Sequence, residues 1–205
     1  MPNLDKTQIA SIAIASILAG YVVVASFASQ NLSASEALFE VPSADAAQVD
    51  YFLKVDGIDG ESTNDRHKNE IEIESFSWGA TQSGTGASGG GGGAGKVSFQ
   101  DIHFTIKTSK ASPKLMLACA TGEHIKEVVL TGEVSGKKGQ KFLEIKMEDV
   151  LISSFQQGGS SGEYPTESIS MNFSKIVFTY YPVNPDGSLG TPVSGGWDIK
   201  ENKEV

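Results

Sequence analysis

The glycine-rich tract at residues 84–95 contains the sequence that comes nearest to a nucleotide-binding motif. Residues 90–96 read GGGGAGK, close to a P-loop, whose backbone N–H groups and lysine hold phosphates. The P-loop then requires Ser or Thr for magnesium, and Val97 occupies that position. A strand pattern follows, whereas a P-loop continues into a helix. We therefore interpret the tract as a long loop between two strands, able to order against a partner.

Three histidines could act as bases or ligands, but their contexts favour ordinary surface roles. His67 lies in a very polar segment, His103 falls on the polar side of its strand, and His124 follows a helix-ending glycine. Their spacing matches no compact metal motif. No serine lies in the strand–turn–helix context of a nucleophile elbow, although a Ser-His-Asp set built from distant positions stays open. We assign no catalytic residue, no metal and no cofactor.

The remaining reactive side chains also have simple interpretations. Cys119 is the single cysteine, which excludes an intrachain disulfide and an all-cysteine metal cluster. Its place in a short helix predicts a buried, unreactive thiol. Glu148 and Asp149 are neighbours in a strand pattern, whose side chains point to opposite faces, so we expect both carboxylates to be solvated.

The length and composition limit the classes of protein to which the chain can belong. The chain has 205 residues, with 16 basic and 25 acidic side chains and a net charge of −9. This length suits one domain with a tail. The acidic balance argues against sequence-independent nucleic-acid binding, which needs a basic face. It argues weakly against adhesion to anionic membranes.

The chain divides into three predicted parts. Residues 1–28 include an uncharged run at 9–28, about the length that spans a bilayer as a helix. An export signal and an uncleaved membrane anchor both fit this run, and a buried core helix is disfavoured. We expect export, with Ala28 as the candidate cleavage position and a second candidate at Ala46. Residues 29–50 are an acidic Ser/Ala-rich linker, and residues 51–205 are the folded domain.

Alternating apolar residues predict a mainly β domain whose strands bend. In four runs the apolar positions switch between odd and even numbers, which one flat strand face cannot accommodate. The switches lie between Ile73 and Phe76, Phe99 and Ile102, Met147 and Val150, and Phe173 and Ile176. They indicate bulges or strands that change sheet at a corner. The alternative, two shorter strands joined by a turn, is disfavoured because Gly and Pro are absent there.

One short helix has clear start and stop signals. Ser112 is the predicted N-cap, Pro113 the first helical residue and Gly122 the residue after the helix. The predicted core contacts of this helix are Leu115, Met116 and Cys119.

These segments together resemble the Hcp family, the tube protein of bacterial type VI secretion systems, over about residues 51–203. The motifs that carry the resemblance are FLKVDGI at 52–58, GES at 60–62, HKNEI at 67–71, SWG at 77–79, GKV at 95–97, Phe99, Lys175-Ile176, Tyr180, DGSLG at 186–190 and GWDIKENK at 196–203. Each motif alone is weak, but their order and spacing are specific.

The resemblance implies a small two-sheet β-barrel with one side helix, and no catalysis. It implies a homohexameric ring, rings stacked into a hollow tube, and a sheath, a VgrG-type spike and effectors as partners. In this family the long loop after the second strand helps rings contact one another. Here that loop spans Gly79 to Lys96, with Gly84, Gly89 and Gly95 between them.

The first 50 residues depart from the family pattern, because a usual tube protein begins near the position of Tyr51 and lacks an export signal. Three functions follow as hypotheses. The chain is a ring protein exported to act outside the cytoplasm, or a tube subunit of a working secretion machine, cytoplasmic and then secreted, with an unusual or miscalled start. The third is a hydrolase or ligand-binding barrel in which a histidine meets an acid.

Overall fold

The structure is a computed structural model that describes residues 48–82, 97–135, 139–184 and 188–205. The predicted signal or anchor segment, nearly all of the predicted linker, and residues 83–96 of the glycine-rich loop lie outside this part of the chain. No helix in the described part is long and apolar enough to cross a membrane.

The described elements are, in chain order, β1 (Val49–Val55), β2 (Ile71–Ser77), β3 (Ala80–Gln82), β4 (Val97–Phe99), β5 (Ile102–Lys107), α1 (Ser112–Thr121), β6 (His124–Val134), β7 (Gln140–Gly158), β8 (Thr166–Tyr180), β9 (Val193–Asp198) and β10 (Lys203–Glu204). Strand β1 starts two residues before the predicted Tyr51.

Six strands close into an antiparallel barrel in the order β8-β5-β2-β1-β6-β7, and β7 returns to β8. Strands β9 and β10 extend the sheet from β8, while β3 and β4 form a separate two-stranded sheet. The inward side chains of the barrel strands form the hydrophobic core, together with Ala111, Leu115 and Ala118 from the helix region. The predicted mainly β barrel with one short helix is confirmed.

Strand β8 changes partner along one of its edges. Thr166–Met171 pair with β5, whereas Lys175–Tyr180 pair with β9. Strand β7 runs along the whole of the opposite edge. The sheet therefore branches at Asn172, Phe173 and Ser174, between the two partners.

Three strands bend in one row across the barrel. Lys126, Asp149 and Ser174 occupy matching positions of β6, β7 and β8, between regular pairs on either side. Asp149 has a φ of 54°, a left-handed conformation that Asp tolerates better than most residues. The flanking apolar residues on both sides of the row are all buried: Ile125, Val128, Met147, Val150, Phe173 and Ile176. Two of the four predicted switches are therefore bends within continuous strands.

The other two switches have different causes. A register shift between Ile73 and Ser75 against β5 marks a bulge in β2, as predicted. Between Phe99 and Ile102 the chain leaves the two-stranded sheet and enters the barrel. The disfavoured alternative of two shorter strands therefore applies to this run, where Gln100 and Asp101 make the connection without Gly or Pro.

The helix starts one residue before the predicted position. Ala111 is the N-cap, while the Ser112 hydroxyl accepts a hydrogen bond from the Ser109 N–H at 2.9 Å. Gly122 ends the helix with a φ of 68°, as predicted. Leu115 is buried and Cys119 packs partly buried against the core. The prediction for Met116 is wrong, because its side chain is 47% exposed.

The connection between β1 and β2 folds back on itself at a close backbone contact. The Gly60 N–H donates to the Asn69 carbonyl at 2.7 Å, and Asn69 adopts a φ of 63°. A Cβ added at Gly60 would lie 2.3 Å from the carbonyl oxygen of Glu70. Only glycine therefore fits this approach without backbone movement.

We expect Gly60→Ala to lower the free energy of unfolding by about 1–3 kcal/mol, because the added methyl group overlaps backbone atoms that must move. Urea denaturation followed by circular dichroism measures the loss. Gly158→Ala is the matched control, since its added Cβ meets no atom within 4 Å and should change stability by at most about 0.5 kcal/mol. Equal losses in the two variants would contradict the interpretation.

Candidate functional site

The base of the glycine-rich loop is a short antiparallel hairpin. Ala80 pairs with Phe99 and Gln82 with Val97, and the Gln100 N–H donates to the Gly79 carbonyl at 2.8 Å. The loop therefore leaves and re-enters the fold at adjacent positions. Of the residues predicted for ring stacking, Gly79 lies at this base, while the others, Gly84, Gly89, Gly95 and Lys96, lie outside the described residues. The predicted strand after Lys96 is confirmed. A P-loop would continue into a helix at this point, so the tract is a connection between two strands.

The hairpin is attached where the sheet branches. The ring of Phe99 packs edge-on against Phe173 at 6.0 Å between centroids. The carboxylate of Asp101 accepts hydrogen bonds from Ser153 at 2.5 Å and from Asn172 at 2.8 Å. These contacts tie the entry to β5 to the point at which β8 changes partner, so the loop base has a defined position on the barrel.

His67 is not a surface histidine, contrary to the prediction. Its ring stacks on Phe52 with centroids 4.3 Å apart and planes within 5°. Its Nδ1 lies 2.8 Å from Glu70 Oε2, and its Nε2 lies 3.4 Å from Glu133 Oε2. Both ring nitrogens therefore face carboxylates, and the side chain, 12% exposed, holds the β1–β2 connection against the outer face of the barrel.

Glu133 is the centre of this network. Its side chain is 2% exposed and accepts two hydrogen bonds from the Arg66 guanidinium, at 2.9 and 3.1 Å, and one from Asn64 at 3.2 Å. The Arg66 hydrogen bonds lower the pKa of Glu133 below its usual value, because they favour the ionised carboxylate. With its oxygens occupied by these donors, Glu133 acts as a structural anchor rather than a free base.

Asp149 and His124 form a second His–acid pair, at the row of bends. Asp149 accepts hydrogen bonds from Lys200, from the Ser174 hydroxyl at 2.7 Å and from His124 at 2.7 Å. The hydrogen bond from Lys200, followed by those from Ser174 and His124, lowers the pKa of Asp149 strongly. Asp149 is thus a multiply bonded residue that joins three strands and the β9–β10 turn, rather than the plainly solvated carboxylate predicted.

The remaining histidine forms a Ser–His contact without an acid. His103 Nδ1 lies 2.8 Å from the Ser170 hydroxyl on the facing strand, but no described carboxylate lies within ion-pair distance of His103. At Asp149 the Ser174 hydroxyl and His124 bind different oxygens of the carboxylate, and no hydrogen bond among the described residues joins the serine to the histidine. The described residues therefore bring together no Ser–His–acid chain of the kind that nucleophilic catalysis uses.

The described residues also contain no group of three His, Cys, Asp or Glu side chains that could hold a metal ion. An open groove of about 970 Å³ lies between β1, β2 and the segment at 61–64. Its charged lining is mainly acidic, comprising Asp50, Glu61, Glu72, Glu74 and Lys107. This charge is unfavourable for nucleotides and other polyanions.

Comparison with known proteins identifies a family for this chain. The family model described as type VI secretion system effector, Hcp, matches residues 52–180. Protein hcp1 of Pseudomonas aeruginosa is 43% identical over 160 residues, which cover 77% of this chain and 99% of that protein. A solved structure described as a type six secretion system protein has 31% identity and a TM-score of 0.73, covering 77% of this chain and 100% of its own. Hcp1 from Salmonella typhimurium has 34% identity and a TM-score of 0.65, covering 77% and 99%.

We expect Glu133→Gln to destabilise the protein at neutral pH by about 2 kcal/mol, because charge-assisted hydrogen bonds from Arg66 are weakened. Since the folded-state pKa of Glu133 is lowered, its stabilisation is present above the ordinary carboxyl pKa and is lost as pH falls through the lowered value. Urea denaturation of both proteins from pH 7 down to pH 3 should show the difference shrinking in acid. Glu72→Gln, an exposed acid on β2, is the control. A pH-independent difference would contradict the role of the charge.

Substitutions at Asp149 should separate its backbone role from its side-chain role. Asn tolerates the positive φ and its side chain can still form hydrogen bonds. Gly tolerates the positive φ but has no side chain to form them, and Ala lacks both properties. We expect stability to fall in the order Asp149→Asn, Asp149→Gly, Asp149→Ala, with Ala about 1 kcal/mol below Gly. Thermal unfolding measures the order. An alanine variant as stable as the glycine variant would show that the positive φ carries no cost.

Proposed function

The chain belongs to the Hcp family of the bacterial type VI secretion system, and on that premise we propose that it is a structural, non-enzymatic subunit that forms rings and stacks them into a hollow tube. Members of this family are structural tube proteins. The observation that carries the proposal is the family match over residues 52–180, which spans the barrel from β1 to the end of β8.

The proposed partners are further copies of the chain, in a homohexameric ring and in stacked rings. A VgrG-like spike, a sheath and effectors follow from the family resemblance. The absence of an assembled Ser–His–acid chain among the described residues supports a structural role. The acidic charge supports partners other than nucleic acid.

For contact between rings we propose the glycine-rich loop, with Gly79, Gly84, Gly89, Gly95 and Lys96. Its support is the hairpin base, which returns the chain to its starting point after residues 83–96 and leaves the barrel strands unbroken. A long loop with adjacent ends can change shape against a partner without disturbing the fold.

For localisation we propose that the protein is secreted, with residues 29–50 as a linker and residues 51–205 as the ring-forming domain. An exported ring that acts outside the cytoplasm is the second candidate function, and the uncharged run at residues 9–28 favours it. Intact mass of the protein from each compartment distinguishes the two. A start just after Ala28 outside the cytoplasm supports export by the general route.

Shortening the glycine-rich loop should separate ring formation from stacking. We expect the unaltered protein to have the native mass of a hexamer and to form tubes visible by electron microscopy. A variant with residues 84–94 deleted should keep the hexamer mass and lose the tubes. The control is a variant in which the four glycines at residues 90–93 are replaced by four serines, which changes the composition of the loop and keeps its length. A monomeric unaltered protein would overturn the ring, and tubes from the shortened variant would overturn the role of the loop.

A further inference from the structure

The imidazole of His67 lies between two carboxylates on the outside of the barrel. Its Nδ1 lies 2.8 Å from Glu70 Oε2, and its Nε2 lies 3.4 Å from Glu133 Oε2. The face of the ring is stacked on Phe52 of β1. These contacts hold residues 56–70, the β1–β2 connection, against β1 and β6.

A neutral imidazole satisfies only one of these two carboxylates, because it carries a single N–H. If Nδ1 donates to Glu70, the lone pair of Nε2 faces Glu133. In the other tautomer, the lone pair of Nδ1 lies 2.8 Å from a Glu70 oxygen. The protonated ring has an N–H on each nitrogen and donates toward both acids. The arrangement of oxygens around His67 therefore fits the imidazolium form better than the neutral ring.

The charges of the network favour the same form. Glu133 is buried and Glu70 is largely shielded from solvent. The Arg66 guanidinium pairs with Glu133 and supplies one positive charge. With a neutral His67, two carboxylates therefore share one cation in a place from which water is largely excluded, and an uncompensated charge is costly there. Protonation of His67 supplies the second cation.

Charged side chains on the neighbouring strands do not oppose this balance. Asp50 of β1 lies opposite Glu133 in the β1–β6 ladder, and Glu72 of β2 lies opposite the residue beneath the His67 ring. Both are acids, so they also favour a cation at His67. Lys141 of β7 lies opposite Glu133 as well, but its ammonium binds Glu144 at 2.6 Å.

The remaining charged side chains of β1 and of the β1–β2 connection are exposed to solvent, which screens them. They are Lys54, Asp56, Asp59, Glu61, Asp65 and Lys68. Glu70 and Glu133 are thus the two charged groups that contact the ring directly.

We propose that the β1–β2 connection is a pH-sensitive clasp, which protonated His67 holds closed and which loosens when His67 loses that proton. Histidine is the side chain that ordinarily changes charge between about pH 5 and 8, so the clasp responds within the physiological range. Its stabilisation is present in mildly acidic solution and is lost as the pH rises and the ring gives up its second proton.

The clasp acts on one wall of the open acidic groove. Residues 61–64 line this groove and belong to the same connection. The Ser62 N–H donates to the Glu70 carbonyl at 3.0 Å, and the Asn69 N–H donates to the Ser62 carbonyl at 2.9 Å. The groove wall is therefore attached to the residues beside His67, and the clasp links the position of this wall to pH.

Hydrogen exchange followed by mass spectrometry tests the clasp in the full-length protein. The quantity compared is the protection of peptides from residues 56–70 at about pH 5.5 and pH 8.5, corrected for the intrinsic exchange rate at each pH. In the unaltered protein we expect protection to fall about tenfold between the two conditions, the ratio that corresponds to the loss of one charge-assisted hydrogen bond. His67→Gln, whose side chain stays neutral, should show the lower protection at both pH values.

His103→Gln is the matched control, because His103 contacts the Ser170 hydroxyl and lies in a different strand. It should keep the pH dependence of the unaltered protein. Glu70→Gln removes one of the two facing carboxylates and keeps the stacked ring, so it should reduce the tenfold change to about threefold. This variant serves the same purpose if His67→Gln does not fold.

Equal protection at the two pH values in the unaltered protein would overturn the clasp. The same pH dependence in His67→Gln or an undiminished one in Glu70→Gln would also overturn it, because the titrating group would then lie elsewhere. All the contacts of the clasp lie within one subunit, so the result does not depend on the proposed ring.

Discussion

Backbone pairing along β8 is the constraint on which the described fold depends. This strand closes the barrel by pairing with β5 and β7, and then carries β9 on the edge that β5 leaves free. No flat strand of this length could follow the barrel wall and keep its apolar residues inside. The common row of bends at Lys126, Asp149 and Ser174 resolves the conflict, since all three strands change direction together and their ladders stay paired on both sides.

Side chains outside the core fix the segments that the ladders do not reach. Glu133 and His67 hold the β1–β2 connection against the outside of the barrel through hydrogen bonds to Arg66, Asn64 and Glu70. Asp149 holds the β9–β10 turn through Lys200. In both places a carboxylate is shared by several donors, so its ionised form is favoured and the contacts reinforce one another. The histidines therefore serve structure at two of their three positions.

Sequence patterns predicted the barrel class, the strands, the helix end at Gly122 and the places where strands bend, because period-two alternation and glycine positions are local signals. The same patterns missed the environments of His67 and Asp149, since both depend on residues brought together from distant parts of the chain. The core prediction for Met116 is wrong because a short helix has too few turns to show from its sequence which face is buried. The sequence also does not show which strands lie at an edge of the sheet, because alternation alone does not give the order of the strands.

The hairpin base of the glycine-rich loop has a consequence for how this protein can vary. Because Gln82 and Val97 are already paired, the ends of the loop stay side by side whatever lies between them. The entropic cost of such a closed loop grows only with the logarithm of its length, about 0.6 kcal/mol for each doubling. Insertions at this point therefore change the free energy of folding very little. The loop is a natural place for the sequence to diverge between relatives, and for a foreign peptide to be displayed on every subunit of an assembly.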